Sequence, residues 1–298
     1  MSHLINLEIA GVNFSINCRD SMIPQDFEPA YKSFLKAARN LASIDININL
    51  ELNNIPDIKR LKNIFDSGQS WSMFQKDNDY YVISQSPASK NPIWISKCNR
   101  DFTKITVFCN KNFFLDKKNT LSILNPVRYP LDQIILMHYL ALRKGTIIHA
   151  AGVVINQNGY IFPGRSGSGK STLSKQFIKQ KYIQLLSDDR IVVRKINNTL
   201  KAYGTPWPGE EGIAINKSVP LSGIFFITHA GYNRIEEIKP QKALEKLLPV
   251  VSIPWYDKEI MTKILDFCDD LISYVPAYEL YFKPDNEVVN VFEKFVTK

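Results

Sequence analysis

Cysteine is scarce in this 298-residue chain, which holds only Cys18, Cys98, Cys109 and Cys268. None forms a CxxC pair, and no histidine cluster accompanies them. Neither a zinc site nor a disulfide framework is expected, and the usage is that of a reducing compartment. The N-terminus begins Met-Ser-His-Leu-Ile-Asn, carries Glu8, and lacks a basic region followed by an apolar core. No signal peptide is expected. Long apolar runs are missing as well. The most apolar stretch, Leu131 to Ile155, is broken by Asp132, His138, Arg143 and Lys144. It is too interrupted for a membrane span, so the expected location is cytoplasmic. There is no internal repeat and no low-complexity tract. A dense basic block with interleaved aromatics is also absent, which excludes nucleic acid as an expected partner.

What remains is an ordinary globular composition, 45% hydrophobic, at a length that affords one large or two modest domains. Lys and Arg number 37 against 29 Asp and Glu, a formal +8. Such an excess favours anionic partners such as nucleotides or acidic peptides, and it equally describes a solvated lysine-rich surface.

Short alternating runs dominate the first part. Leu4 to Ile16, Ile44 to Leu52, Tyr80 to Ser84, Pro92 to Ser96 and Lys104 to Cys109 read as strands, and Phe27 to Leu41 as a helix. Residues 1–125 are expected to form a small α+β domain that is substrate-binding or regulatory. Asn125-Pro126 and Tyr129-Pro130 mark a boundary. Leu131 to Arg143 reads as a helix stopped by Gly145. Two strand-like runs follow, Ile147 to Asn156 and Tyr160 to Pro163, with Asn158-Gly159 as the tight-turn signal between them. Further on, Ser171 to Lys181, Lys242 to Leu248, Lys258 to Ile272 and Asn286 to Val296 read as helices. Ile183 to Ser187, Ile191 to Lys195, Leu221 to Thr228 and Ser273 to Phe282 read as strands.

The chemistry concentrates after the second run. From Gly164 the chain reads Gly-Arg-Ser-Gly-Ser-Gly-Lys-Ser-Thr, a match to GxxxxGK[ST] at Gly164, Gly169, Lys170 and Ser171. A triphosphate needs several backbone N–H groups pointing inward, and glycines let Gly164, Arg165, Ser166, Gly167, Ser168 and Gly169 curl that tightly. The helix that follows aims its positive end at the anion. Lys170 supplies a mobile charge for the outer phosphates, Ser171 is the expected magnesium ligand, and Thr172 extends the polar helix start. The expected ligand is a purine nucleoside triphosphate with Mg2+.

A carboxylate at the end of a nearby strand completes such a metal shell. Gln184-Leu185-Leu186-Ser187-Asp188-Asp189-Arg190 offers two. One can help hold magnesium and the other can take a proton from an incoming hydroxyl. His149 lies on an apolar strand, where a core role and a catalytic one are both open. Glu210 and Glu211 sit in a Pro/Gly-rich loop from which either reaches a metal.

Together these residues resemble the HPr serine kinase/phosphorylase family, in its looser group of HPr-kinase-like proteins. The likeness covers roughly His149 to Gly212. It consists of a histidine on a strand, a hairpin, the glycine loop, and the run Ser187-Asp188-Asp189-Arg190-Ile191. The resemblance implies an α/β fold with a P-loop kinase core of the HPr kinase/phosphoenolpyruvate carboxykinase type. It implies ATP and Mg2+ as cofactors, with Lys170 on phosphate, Asp189 as base, and His149 near the transferred group. Ser171, Asp188 and Glu210 or Glu211 would serve the metal. Gly-Thr-Pro-Trp and the overall length are similar to enzymes that phosphorylate a serine of lasso-peptide precursors. The implied reaction is γ-phosphate transfer to a serine-type hydroxyl of a peptide, protein or small molecule. Homo-oligomers are usual in the family. Two other readings compete, a non-catalytic nucleotide-binding regulator and an enzyme like phosphoenolpyruvate carboxykinase.

Overall fold

The computed structural model describes residues 3–18, 23–24, 28–37, 43–52, 54–68, 70–85, 92–109, 122–123 and 125–297. The chain divides into two compact units, residues 1–139 and 140–298. It is a mixed α/β protein with two large sheets. Among the described residues no helix is long and apolar enough to cross a membrane.

The first unit holds β1 (His3–Ile9), β2 (Val12–Cys18), β3 (Ile23–Pro24), β4 (Leu35–Lys36), β5 (Ile46–Leu52) and β6 (Lys62–Asp66). It continues with β7 (Trp71–Lys76), β8 (Asp79–Gln85), β9 (Pro92–Cys98), β10 (Lys104–Cys109) and β11 (Ser122–Ile123). Nine of these form one sheet in the order β4-β1-β2-β5-β10-β9-β8-β7-β6. Alternation decides which side is core. On β5, Ile46, Ile48 and Leu50 are buried while Asn47 is exposed between them. The run Leu4 to Ile16 is a hairpin rather than one strand, because Ala10 and Gly11 both take positive φ and turn β1 into β2.

The helix expected over Phe27 to Leu41 does not form where the structure describes it. Pro29–Phe34 is a 3-10 turn with Pro at its start, and Leu35 and Lys36 pair with β1. Tyr31 and Phe34, three apart, are the buried pair. That spacing suits a 3-10 turn, and the pairing with β1 takes the next two residues. Residues 25–27 and 38–42 lie outside the described residues. The division between units falls near the end of α1 (Leu131–Ala141). After α1, Lys144 takes the left-handed conformation at φ 53° instead of Gly145. Gly145 opens the next strand, where a Cβ would lie 2.9 Å from Arg194 Cγ and 3.1 Å from the Val193 carbonyl.

The second unit contains β12 (Gly145–Ile155), β13 (Asn158–Pro163), α2 (Lys170–Ile178), β14 (Gln184–Ser187), β15 (Arg190–Ile196) and β16 (Thr199–Tyr203). Then come β17 (Ser218–His229), β18 (Arg234–Glu237), α3 (Pro240–Leu247), α4 (Lys258–Tyr274), β19 (Ala277–Phe282) and α5 (Glu287–Val296). The long strands β12 and β17 tie the sheet together. β12 pairs β15 along its first half and β13 and β14 along its second. β17 pairs β16, then β13 and β19, the last two in parallel.

The turn between β12 and β13 is Asn156-Gln157, both at positive φ, the geometry of a tight two-residue hairpin. Asn158-Gly159 instead starts β13. Gly159 is there for packing, since a Cβ would lie 2.6 Å from Val219 Cγ2.

One apolar cluster joins α2 and α5 to the sheet through Phe162, Leu173, Phe177, Phe225 and Phe292. A second takes in Ile260, Ile264 and Leu271 of α4 with Ile148, Ile191 and Val193 of the sheet. The helical periodicity of α4 and its cap, Asp257 accepting from the Ile260 N–H at 3.1 Å, make that helix legible.

Candidate active site

β13 and β14 both run antiparallel to β12, which lies between them. Their C-terminal ends therefore leave the sheet on one side. β17 and β19, parallel to β13 and to each other, end there too. Open α/β sheets bind ligands beyond such carboxyl ends.

Two main-chain bonds on β12 bring the expected residues together. The Gly164 N–H donates to the His149 carbonyl at 3.0 Å. The Ala150 N–H donates to the Asp189 carbonyl at 3.0 Å. Neighbouring residues of one strand thus hold the start of the glycine loop on one flank and the aspartates on the other.

The loop from Gly164 to Gly169 connects β13 to α2. Gly167 and Gly169 take φ of 80° and 98°, open only to glycine at low cost. A Cβ at Gly164 would overlap the Ser168 hydroxyl. α2 begins at Lys170 with no side-chain cap, so its first N–H groups lack an intrahelical partner. Lys170 Nζ donates to the carbonyls of Gly164 at 2.7 Å and Arg165 at 3.1 Å. Burial pushes its ammonium below the ordinary lysine range, and the negative charge of Asp189 and Asp188 only partly offsets this.

Asp189 and Asp188 have different surroundings. Asp189 is hydrogen-bonded through Oδ1 to His149 Nε2 at 2.7 Å and through Oδ2 to Arg190 Nη1 at 2.8 Å. Burial pushes its carboxyl up, but the His149 hydrogen bond and the charges of Arg190 and Lys170 outweigh it, leaving a net depression. Asp188 is buried and accepts the Gly209 N–H on Oδ1 at 2.9 Å and the Glu211 N–H on Oδ2 at 2.7 Å. It fastens the Pro/Gly-rich loop beside the cleft. Gly209 lies so close that a Cβ would sit 3.0 Å from Asp188 Oδ2. Further along, the Ile215 N–H donates to the Leu186 carbonyl at 3.0 Å, so the loop is anchored at both ends.

A solvent-open cleft of about 430 Å³ is the result. Ser166, Gly167, Gly169, Lys170, Ser171 and Thr172 line one part, and His149, Asp188, Asp189, Gly209 and Glu210 another. Gly164 and Arg165 contribute the carbonyls that hold Lys170 rather than cleft surface, and Ser168 packs on Gly164. The two glutamates separate: Glu210 lines the cleft, while Glu211 pairs with Lys175 of α2 at 3.3 Å. Among the described residues no three His, Cys, Asp or Glu side chains converge as a metal cluster. The cleft also takes in His229, which the sequence reading passed over. A lone histidine closing an apolar strand carries no spacing signal. The pairing of β17 with β13 and β19 brings it there.

No family profile matches the chain, and no curated protein matches it. Among solved structures, the Hpr(Ser) kinase/phosphatase from Coxiella burnetii is similar at 17% identity, over 51% of this chain and 96% of that one, with a TM-score of 0.30.

Proposed function

We propose that the chain is a phosphotransferase that binds ATP with Mg2+ along Gly164 to Thr172 and moves the γ-phosphoryl group to a serine-type hydroxyl. The acceptor is a peptide, a protein or a small molecule. The observation that carries this reading is the meeting of the glycine loop with the His149–Asp189 pair in one cleft. Holding a nucleotide needs only the loop. A carboxylate able to take a proton is what transfer adds.

The loop N–H groups and the uncapped start of α2 receive the phosphates. Lys170 exchanges the carbonyls of Gly164 and Arg165 for outer phosphate oxygens. Ser171, Asp188 and Glu210 offer oxygen donors in the same cleft, the donor class magnesium takes. Asp188 accepts one N–H on each oxygen, and a lone pair remains on each. The residues fit the ion, which would supply positive charge against the phosphates. Asp189 is ionised at neutral pH, as carboxylates ordinarily are, and its surroundings lower its pKa further. It accepts the proton of the incoming hydroxyl as that oxygen bonds the γ-phosphorus and the bond to the ADP oxygen breaks. Its low basicity suits a loose transition state, in which the proton leaves late. His149 and Arg190, one on each carboxylate oxygen, fix its direction.

The test is incubation with γ-labelled Mg·ATP and a panel of serine peptides and small alcohols. Wild type is expected to label an acceptor. Asp189→Asn should lower transfer by about 10²–10⁴-fold and leave nucleotide affinity in place. Unchanged transfer in that variant removes Asp189 as base. Tight binding with no labelled acceptor would instead describe a nucleotide-binding regulator.

A further inference from the structure

β17 ends at His229, paired in register with Phe282 of β19. The imidazole leans on the Phe282 ring, with centroids 6.5 Å apart at 40°. Its Cε1 approaches the glycine loop at Gly169, where a Cβ would lie 3.2 Å from it. Gly169 is the residue at φ 98° where the loop turns into α2. The ring is exposed to the cleft, and among the described residues it makes no hydrogen bond or ion pair. A half-anchored imidazole with free nitrogens thus stands against the last glycine of the loop, where it turns into α2.

We infer that His229 is a direct ligand of the inner phosphates of the bound nucleotide, an inference that rests on the proposed nucleotide site. In such loops the backbone N–H groups cradle the α- and β-phosphates, while the lysine reaches β and γ. Gly169 belongs to the first set, and the ring beside it shares that neighbourhood. An imidazole N–H donated to a phosphate oxygen is a charge-assisted bond, about twice as strong as a neutral one. The contact belongs to the diphosphate part, so ADP and ATP feel it equally.

Calorimetric titration with Mg·ADP and Mg·ATP, on the wild type, His229→Ala and His229→Lys, tests this. His229→Ala should weaken ADP and ATP by the same factor, about tenfold. His229→Lys, which keeps a donor and a charge but not the ring, should recover most of the loss. His229→Ala that binds ADP within about twofold of wild type overturns the assignment. So does a loss confined to ATP, and so does equal loss in both variants, which would make the ring a packing element for Gly169. A wild type that binds neither nucleotide sinks the proposed function together with this inference. A wild type that binds both, beside an unaffected His229→Ala, sinks only this inference.

Discussion

Lys170→Ala probes the proposed phosphate site without knowledge of the acceptor. The Lys170 side chain is 6% exposed and donates to two loop carbonyls, at 2.7 and 3.1 Å. If the proposed nucleotide binds, those neutral bonds are exchanged for contacts with a polyanion. A neutral hydrogen bond nets about 1 kcal/mol and one to a charged group about 1.5–3 kcal/mol. A lysine meeting phosphate oxygens at the site where burial has already desolvated it stands at the upper end. Truncation should therefore cost about 2–3 kcal/mol of ATP binding, a rise in Kd of about 30- to 150-fold. ADP should lose less, because the lysine serves the outer phosphates. The stability cost is small in comparison. Gly164 is partly exposed and Arg165 exposed, so their carbonyls recover water when the ammonium is gone. Calorimetry with Mg·ATP and Mg·ADP gives both affinities, and thermal unfolding gives the stability. An ATP Kd within about twofold of wild type would refute the phosphate role of Lys170.

Two predictions concern the frame rather than the site. Glu279 of β19 is buried, and burial alone would push its carboxyl up, yet hydrogen bonds from Lys242, Thr228 and Lys246 bring it from 4.5 down to about 2. A depressed carboxylate stabilises the fold above its unfolded pKa, so the contribution is complete above about pH 4.5 and fades toward about pH 2. Its size is about 3 kcal/mol at most, reduced by solvent screening at the half-exposed Lys242. Wild type should lose stability on acidification through that window faster than Glu279→Gln, and parallel urea curves for the two proteins would refute it. Gly204→Ala should destabilise the second unit by about 1–3 kcal/mol or more, because the new Cβ would overlap the backbone carbonyls of Ile215 and Leu186. A chemical denaturation midpoint equal to wild type would count against the anchored loop.

Local signals were the ones legible in the sequence. The loop from Gly164 to Ser171 is contiguous, and the strand before it and helix after it carry their own periodicity. The same holds for Ile46, Ile48 and Leu50, which alternate with asparagines on β5. Signals that depend on a distant partner were misread or missed. Asn158-Gly159 has turn chemistry, but Gly159 answers to Val219 across the sheet, and the turn falls on Asn156-Gln157. The strands β6, β7, β16 and β18 went unassigned because each owes its extension to its neighbours. The choice between Glu210 and Glu211 could not be read from two adjacent carboxylates. Lys175, on the next turn of α2, separates them by claiming Glu211.

The aspartates illustrate why motif spacing carries residue identity further than residue role. In sequence Asp188 and Asp189 are interchangeable, one base and one metal ligand in either order. In the structure their side chains face different tasks. Asp188 spends both oxygens on the N–H groups of Gly209 and Glu211, so its first duty is to hold the loop that presents Glu210. Asp189 spends both oxygens on side chains, His149 and Arg190, rather than on main-chain N–H groups. The positions of Asp189 and of the loop's first glycine are set one level deeper, by main-chain bonds from β12 to Gly164 and Asp189 that no side-chain substitution at His149 removes. Single substitutions at His149, Lys170, Asp189 and His229 are expected to leave the main-chain bonds from β12 to Gly164 and Asp189 in place.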